Sequence, residues 1–286
     1  MTRDSAHGHR AGRSAPLVCR LPLASGPGFI EALRATHRGV SFAPHAHAEY
    51  ALGVALSGSH TLEVGNARYE VRAGDVIVLP PETIHAVESP SRDPWTYAML
   101  YVPVETFAFA LGLEDGARWR PRSPGPVVRD RRAAGVLRAA CDDLLGGAHI
   151  RVPESTLAAL AGFGRQRMEP FVAADCPADR DPAVRELLEC LRRPESRMPP
   201  LRATCAKFHL SVFQLIRRFR VAMDAPPVAF HTQLRARRAR DLLLAETRIS
   251  DVAQRAGYAD QSHLNRQFKR VYGMTPGEYA RGLRGE

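Results

Sequence analysis

Residues Ile249 to Tyr279 read ISDVAQRAGYADQSHLNRQFKRVYGMTPGEY. Ile249 to Ala256 has the spacing of a short helix with Ser250 placed as its cap, and Gly257 supplies the positive φ of a tight turn. Asp260 to Val271 then forms a second helix that buries Leu264 and Phe268. It points Gln261, Ser262, Asn265, Arg266, Lys269 and Arg270 elsewhere. A short helix, a glycine turn and an amphipathic helix with a polar, basic outer face make a helix-turn-helix.

The chain contains this unit twice. At an offset of 49, Leu215 matches Leu264, Arg217 matches Arg266, Phe219 matches Phe268, Pro227 matches Pro276 and Phe230 matches Tyr279. Upstream the offset is 48, pairing Cys205 with Ala253, His209 with Gly257 and Leu210 with Tyr258. The one-residue change falls in the turn before each outer helix, where an insertion costs least. A single helical pair is common packing, whereas two in register, each with an outward Arg and a following Pro-x-x-aromatic, point to recognition. Charge agrees: 181–286 holds 20 Lys and Arg against 11 Asp and Glu, so +9 of the chain's formal +10 lies there. A positive field confined to one region attracts a polyanion by neutralising phosphates and releasing counterions.

On these residues the segment 200–281 resembles the AraC/XylS family of transcription regulators. The resemblance implies an all-α domain of two helix-turn-helix units, about 201–221 and 249–271, joined by a long helix from about Ala229 to Leu244. Sixteen residues at 1.5 Å span about 24 Å, enough to set two reading helices in successive major grooves. By position, the groove-facing residues are Phe213, Gln214 and Arg217 in the first unit, with Gln261, Ser262, His263 and Arg266 in the second, and Asn265 is a further DNA-binding candidate. Arg reads guanine and Gln reads adenine in that groove. Arg218, Arg220, Lys269 and Arg270 fall to phosphates. The first unit departs from the family pattern at Thr204, His209, Ile216 and Asp224, so the second is expected to be the stronger reader.

From Val40 to Val102 the pattern is different. Short apolar or alternating runs (Tyr50 to Leu56, His60 to Val64, Arg68 to Val71, Val76 to Leu79, His85 to Glu88, Thr96 to Val102) are separated by Gly, Asn, Asp and Pro turns. That spacing predicts an antiparallel barrel or sandwich. Two motifs, His45-Ala-His47-Ala-Glu49 and Gly74-x5-Pro80-x-Glu82-x-x-His85, resemble those of a cupin barrel. In cupin enzymes such His residues and a Glu grip a divalent metal. Here Glu49 follows His47 too closely for the enzyme spacing, and Glu82 stands where a Gly is normal. His45, His47, Glu49, Tyr50 and His85 are therefore read as effector-binding candidates in a sensor pocket. A metal on His45, His47 and His85 is stereochemically possible but not expected, and no cofactor is implied.

The expected fold is α+β in two domains: a disordered tail over 1–16, a cupin-like antiparallel barrel over 17–126, a helical connector over 127–180 and the paired helix-turn-helix domain over 181–286. In the connector, Val136, Leu137, Ala140, Cys141, Leu144 and Leu145 form an apolar stripe expected to pair two chains as a homodimer. No apolar run is long enough to span a membrane, and the five Cys are scattered, so a reducing cytoplasm is expected. No nucleophile elbow, phosphate-binding loop or H-E-x-x-H occurs, which argues against an enzyme. The expected partners are double-stranded DNA, a small-molecule effector, a second copy and, for an activator, RNA polymerase. The alternatives are a metal-dependent cupin enzyme fused to a DNA-binding module, or a ligand-independent DNA-binding protein.

Overall fold

The computed structural model describes residues 16–25, 28–89, 93–113, 123–169, 180–193, 198–223, 225–245 and 248–284. The expected tail, at 1–15, and Asp224 lie outside them.

Among the described residues ten strands form two antiparallel sheets. The larger contains β1 (Leu17–Pro22), β2 (Phe29–Arg38), β4 (Tyr50–Ser57), β7 (Val76–Leu79), β9 (Pro94–Val102) and β10 (Val127–Val128), in the order β1-β2-β9-β4-β7-β10. The smaller contains β3 (Phe42–His45), β5 (Ser59–Val64), β6 (Ala67–Arg72) and β8 (His85–Glu88), in the order β3-β8-β5-β6. The six runs singled out above from periodicity are all strands. β2 carries the helix-prone Glu31-Ala-Leu-Arg-Ala35, yet it pairs through eight consecutive positions with β9. Ladder bonding and two-sided burial override propensity there.

The strands β4, β7 and β9 at the middle of the larger sheet are largely apolar because both its faces are covered. Along β9, Trp95, Tyr97, Met99 and Tyr101 point between the sheets, whereas Ala98, Leu100 and Val102 point outward onto helices. Those helices are α1 (Val104–Leu111), α2 (Arg131–Gly146) and α3 (Glu154–Arg167). On α2, Asp130 caps the N-terminus by accepting from the amides of Arg132 and Ala133. Its face of Leu137, Ala140, Cys141 and Leu144 is buried against the protein's own sheet, with Leu137 at 0% exposure. This corrects the reading of that stripe as a dimer seam: the barrel needs the cover, and of the stripe only Val136 is left exposed.

The C-terminal part is helical: α4 (Pro182–Arg192), α5 (Leu201–Lys207), α6 (Val212–Met223), α7 (Pro227–Leu244), α8 (Ile249–Arg255), α9 (Gln261–Tyr272) and α10 (Pro276–Arg284). It has two unequal cores. One gathers Val184, Leu187, Leu188, Leu191, Leu215, Phe219 and Phe230 around α4 to α6, with Ile84 the barrel residue packed on it. The other, around Val252, Leu264, Phe268 and Tyr279, is continuous with the interior of the barrel.

Candidate DNA-reading helices and the barrel cavity they close

Each reading helix is fixed locally by sequence. In the first unit His209, at φ +52°, takes the left-handed turn conformation that Gly257 takes at +76° in the second, so the sequence match identified the turn even without a glycine. α6 begins with a capping box: the Ser211 Oγ accepts from the Gln214 amide, and the Gln214 Oε1 accepts from the Ser211 amide. The Gln214 side chain is thus partly committed to holding the helix end. The N-cap of α9 is Asp260, which accepts from the His263 amide. Ser250 does not cap α8, whose N-cap is Arg248 with no side-chain capping bond to the first amides.

On the outer faces, Phe213, Gln214, Arg217, Arg218 and Arg220 of α6 are exposed, as are Gln261, Ser262, Arg266 and Arg270 of α9. His263, Asn265 and Lys269 are half-buried. Leu215, Phe219, Leu264 and Phe268 point inward at 0% exposure, so the separation of faces is complete. Arg218 lies 3.6 Å from Asp181. Arg217 and Arg220 also line a cleft of about 940 Å³ between α6, α7 and the barrel rim at Glu63 and Glu82.

Between the sheets lies a cavity of about 40 Å³, lined among others by His45, His47, His60, His85, Trp95, Tyr97 and Tyr101. Val271 and Tyr272 at the end of α9 also line it. Three of the five effector candidates meet there. His45 and His85 are register partners across β3 and β8, and their rings lie 4.2 Å apart. His47 stands 5.0 Å from His45 and 5.2 Å from His85. Burial drives all three imidazoles toward the neutral form, and takes His85 down to about 4.

The other two candidates are elsewhere. Tyr50 faces the opposite side of its strand, with its ring 5.0 Å from Phe107 of α1, as period-two alternation requires. Glu49 is buried in an ion pair with Arg240 of α7. Burial pushes the Glu49 carboxyl up, but the Arg240 guanidinium outweighs this and holds it below its ordinary value.

The sequence reading missed the clamp on α7. Gln233, Arg237 and Arg240 follow i, i+4, i+7 spacing and track the stretch Pro44 to Glu49. Gln233 Nε2 lies 3.5 Å from the Pro44 carbonyl, Arg237 Nε donates to the Ala46 carbonyl, and Arg240 grips Glu49. Arg237 also holds Glu82 in a fork of 2.8 and 3.0 Å. Glu82 sits at φ +61°, in the left-handed region where its motif normally has Gly. Both departures from the enzyme motifs, Glu49 and Glu82, are therefore partners of this helix. Nearby, the Tyr279 hydroxyl donates to Glu31, whose carboxyl is pushed up by burial. Gly273 ends α9 at φ +72°, so close to the barrel that a Cβ would stand 2.4 Å from Phe42. The polar spacing on α7 and the glycine were visible signals, but nothing in one sequence says that they face a barrel.

Among the described residues no helix is long and apolar enough to cross a membrane. Residues 27–163 match the model of an AraC-like ligand binding domain, and 204–282 that of a helix-turn-helix domain. The MmsAB operon regulatory protein of Pseudomonas aeruginosa is 26% identical over 258 residues, 83% of this chain and 77% of that protein. An AraC-like transcription regulator of Streptomyces lividans is 32% identical over 100 residues, 35% of this chain and 33% of its own length. The crystal structure of ToxT from Vibrio cholerae superposes with a TM-score of 0.55 at 16% identity, covering 95% of this chain and 98% of that one. Ligand-binding and helix-turn-helix models thus match in the order of the two regions described above, and the chain belongs to the AraC family of transcription regulators.

Proposed function

We propose that α6 and α9 read successive major grooves of an operator, and that the barrel controls how α9 is presented. Arg217 and Arg266 are the guanine readers, Phe213, Gln214, Gln261, Ser262, His263 and Asn265 the other groove contacts, and Arg218, Arg220, Lys269 and Arg270 the phosphate contacts. The DNA-binding part runs from about 181 onward. One observation carries this reading: α9 exposes Gln261, Ser262 and Arg266 at one end, while Val271 and Tyr272 at its other end line the barrel cavity.

The size of the cavity adds a mechanism. Small-molecule pockets are about 300–1,000 Å³, far larger than the space present. An organic effector therefore requires the lining to move apart, and Val271 and Tyr272 are the lining residues through which such a movement reaches the helix that reads DNA. A ligand shifts such an equilibrium by its differential affinity for the two arrangements. The stripe on α2 is covered by the barrel's own sheet, so a second copy would be met by another surface, and RNA polymerase is the further partner expected of an activator.

The test is selection of binding sites from a random duplex pool with the full chain, followed by Arg266→Ala. The full chain is required because α8 to α10 share their core with the barrel. The expected result is a two-part site, with preference lost at one base pair of one part. An equal loss on every sequence would make Arg266 a phosphate contact, and no enriched site would overturn the assignment.

A further inference from the structure

We propose that His45, His47 and His85 form a binding site for one divalent first-row transition-metal ion. One ring nitrogen from each residue lies within 4.8 Å of the others, and all three residues are buried. An ion bound at about 2.0–2.1 Å to three imidazoles needs donors about 3.3 Å apart. Closure therefore asks for small ring movements and no refolding.

The orientation of the rings is already that of ligands. His45 Nδ1 faces the Ala43 carbonyl at 2.9 Å and His85 Nδ1 faces the Thr83 carbonyl at 3.0 Å. A backbone acceptor at Nδ1 fixes the proton there and leaves Nε2 as a lone-pair donor, the outer-shell arrangement of metal-bound histidines. His47 Nδ1 is buried with no hydrogen-bond partner among the described residues. A core built for packing alone would leave that atom an uncompensated cost.

The space agrees. About 40 Å³ beside three imidazoles is room for an ion and one or two waters, each water needing about 10–15 Å³. The donor set also departs from a three-histidine, one-carboxylate centre, because Glu49 is held by Arg240. Three neutral nitrogen donors without a carboxylate favour zinc, cobalt, nickel or iron over magnesium or calcium. The spacing of Glu49 in the sequence argued against a metal. In the folded chain the same spacing gives Glu49 to α7 and leaves the histidines facing one another.

The experiment uses the untagged full chain, stripped with a chelator and dialysed against Zn²⁺, Co²⁺ or Mg²⁺. Expected are one Zn²⁺ or Co²⁺ per chain, no Mg²⁺, and an X-ray absorption spectrum of the zinc form fitted by three imidazole nitrogens. His47→Ala should weaken Zn²⁺ binding by more than the about 10–100-fold that loss of an outer-shell hydrogen bond costs. His149→Ala, at an exposed histidine, should leave it unchanged. The spectrum needs no variant, so a misfolded His47→Ala leaves the test intact. Substoichiometric zinc on folded wild-type chain, a shell of oxygens typical of an adventitious ion only, or a folded His47→Ala that keeps its zinc would each overturn the proposal.

Discussion

The two helix-turn-helix units share a sequence pattern but stand in different surroundings. The first closes its own small core and meets the barrel at Ile84. The second has its core merged with the barrel interior, its outer helix lines the barrel cavity, and its terminal glycine touches Phe42. On the proposed function the repeat supplies two readers, and their unequal attachment would make one of them responsive to the sensor. Information from the barrel would then enter the DNA-binding surface through α9 and α7, with α6 the steadier contact.

The strongest way to break this asymmetry is at the clamp. Arg240→Ala leaves Glu49 buried without its partner, and removing one member of a buried ion pair costs about 3–5 kcal/mol. The full chain should melt lower, with the barrel and second unit losing protection together in hydrogen exchange and the α4 to α6 core keeping its own. Uniform loss of protection would show a single cooperative body and dissolve the distinction.

An acid titration probes the barrel side alone. Burial pulls the His60 imidazole down to about 4 from 6.5. Between those values the unfolded chain binds more protons than the folded one, so this contribution is whole above pH 6.5 and is lost as pH falls toward 4. The loss amounts to about 3 kcal/mol. His60→Phe should flatten the dependence of melting temperature on pH in that window, and an unaltered slope would assign the effect elsewhere.

Much of this was legible in the sequence, for reasons that differ by region. The strands from Tyr50 to Val102 announce themselves by period two and turn residues, and the two units by their offset repeat. What escaped was long-range. β2, whose stretch from Glu31 to Ala35 is helix-prone, owes its strand form to β9 beside it, and the α2 stripe looks free until the larger sheet is seen to need a cover. Tyr50 seems to belong with His45 and His47 until strand alternation turns it toward Phe107. Glu49 and Glu82 looked like flaws in a metal motif because their partners, Arg240 and Arg237, lie over 150 residues away.

Two smaller effects sharpen the contrast between the units. Arg266→Ala should cost about 1–3 kcal/mol on the preferred site and relax one base position, measured by competition binding. Ser211→Ala removes one bond of the α6 capping box and should cost about 1 kcal/mol of stability, read by denaturant melts. It should weaken the first half-site without touching the second, and an equal effect on both would place the two units in one rigid frame.

The central claim is that the barrel governs the second unit and spares the first. The most direct measurement compares wild-type chain with Arg237→Gln, which loosens the Glu82 fork, on an intact operator and on operators with one or the other half-site scrambled. The account predicts that the variant changes the contribution of the half-site read by α9 and leaves that read by α6 constant. Equal changes at both half-sites, or a change confined to the one read by α6, would contradict it.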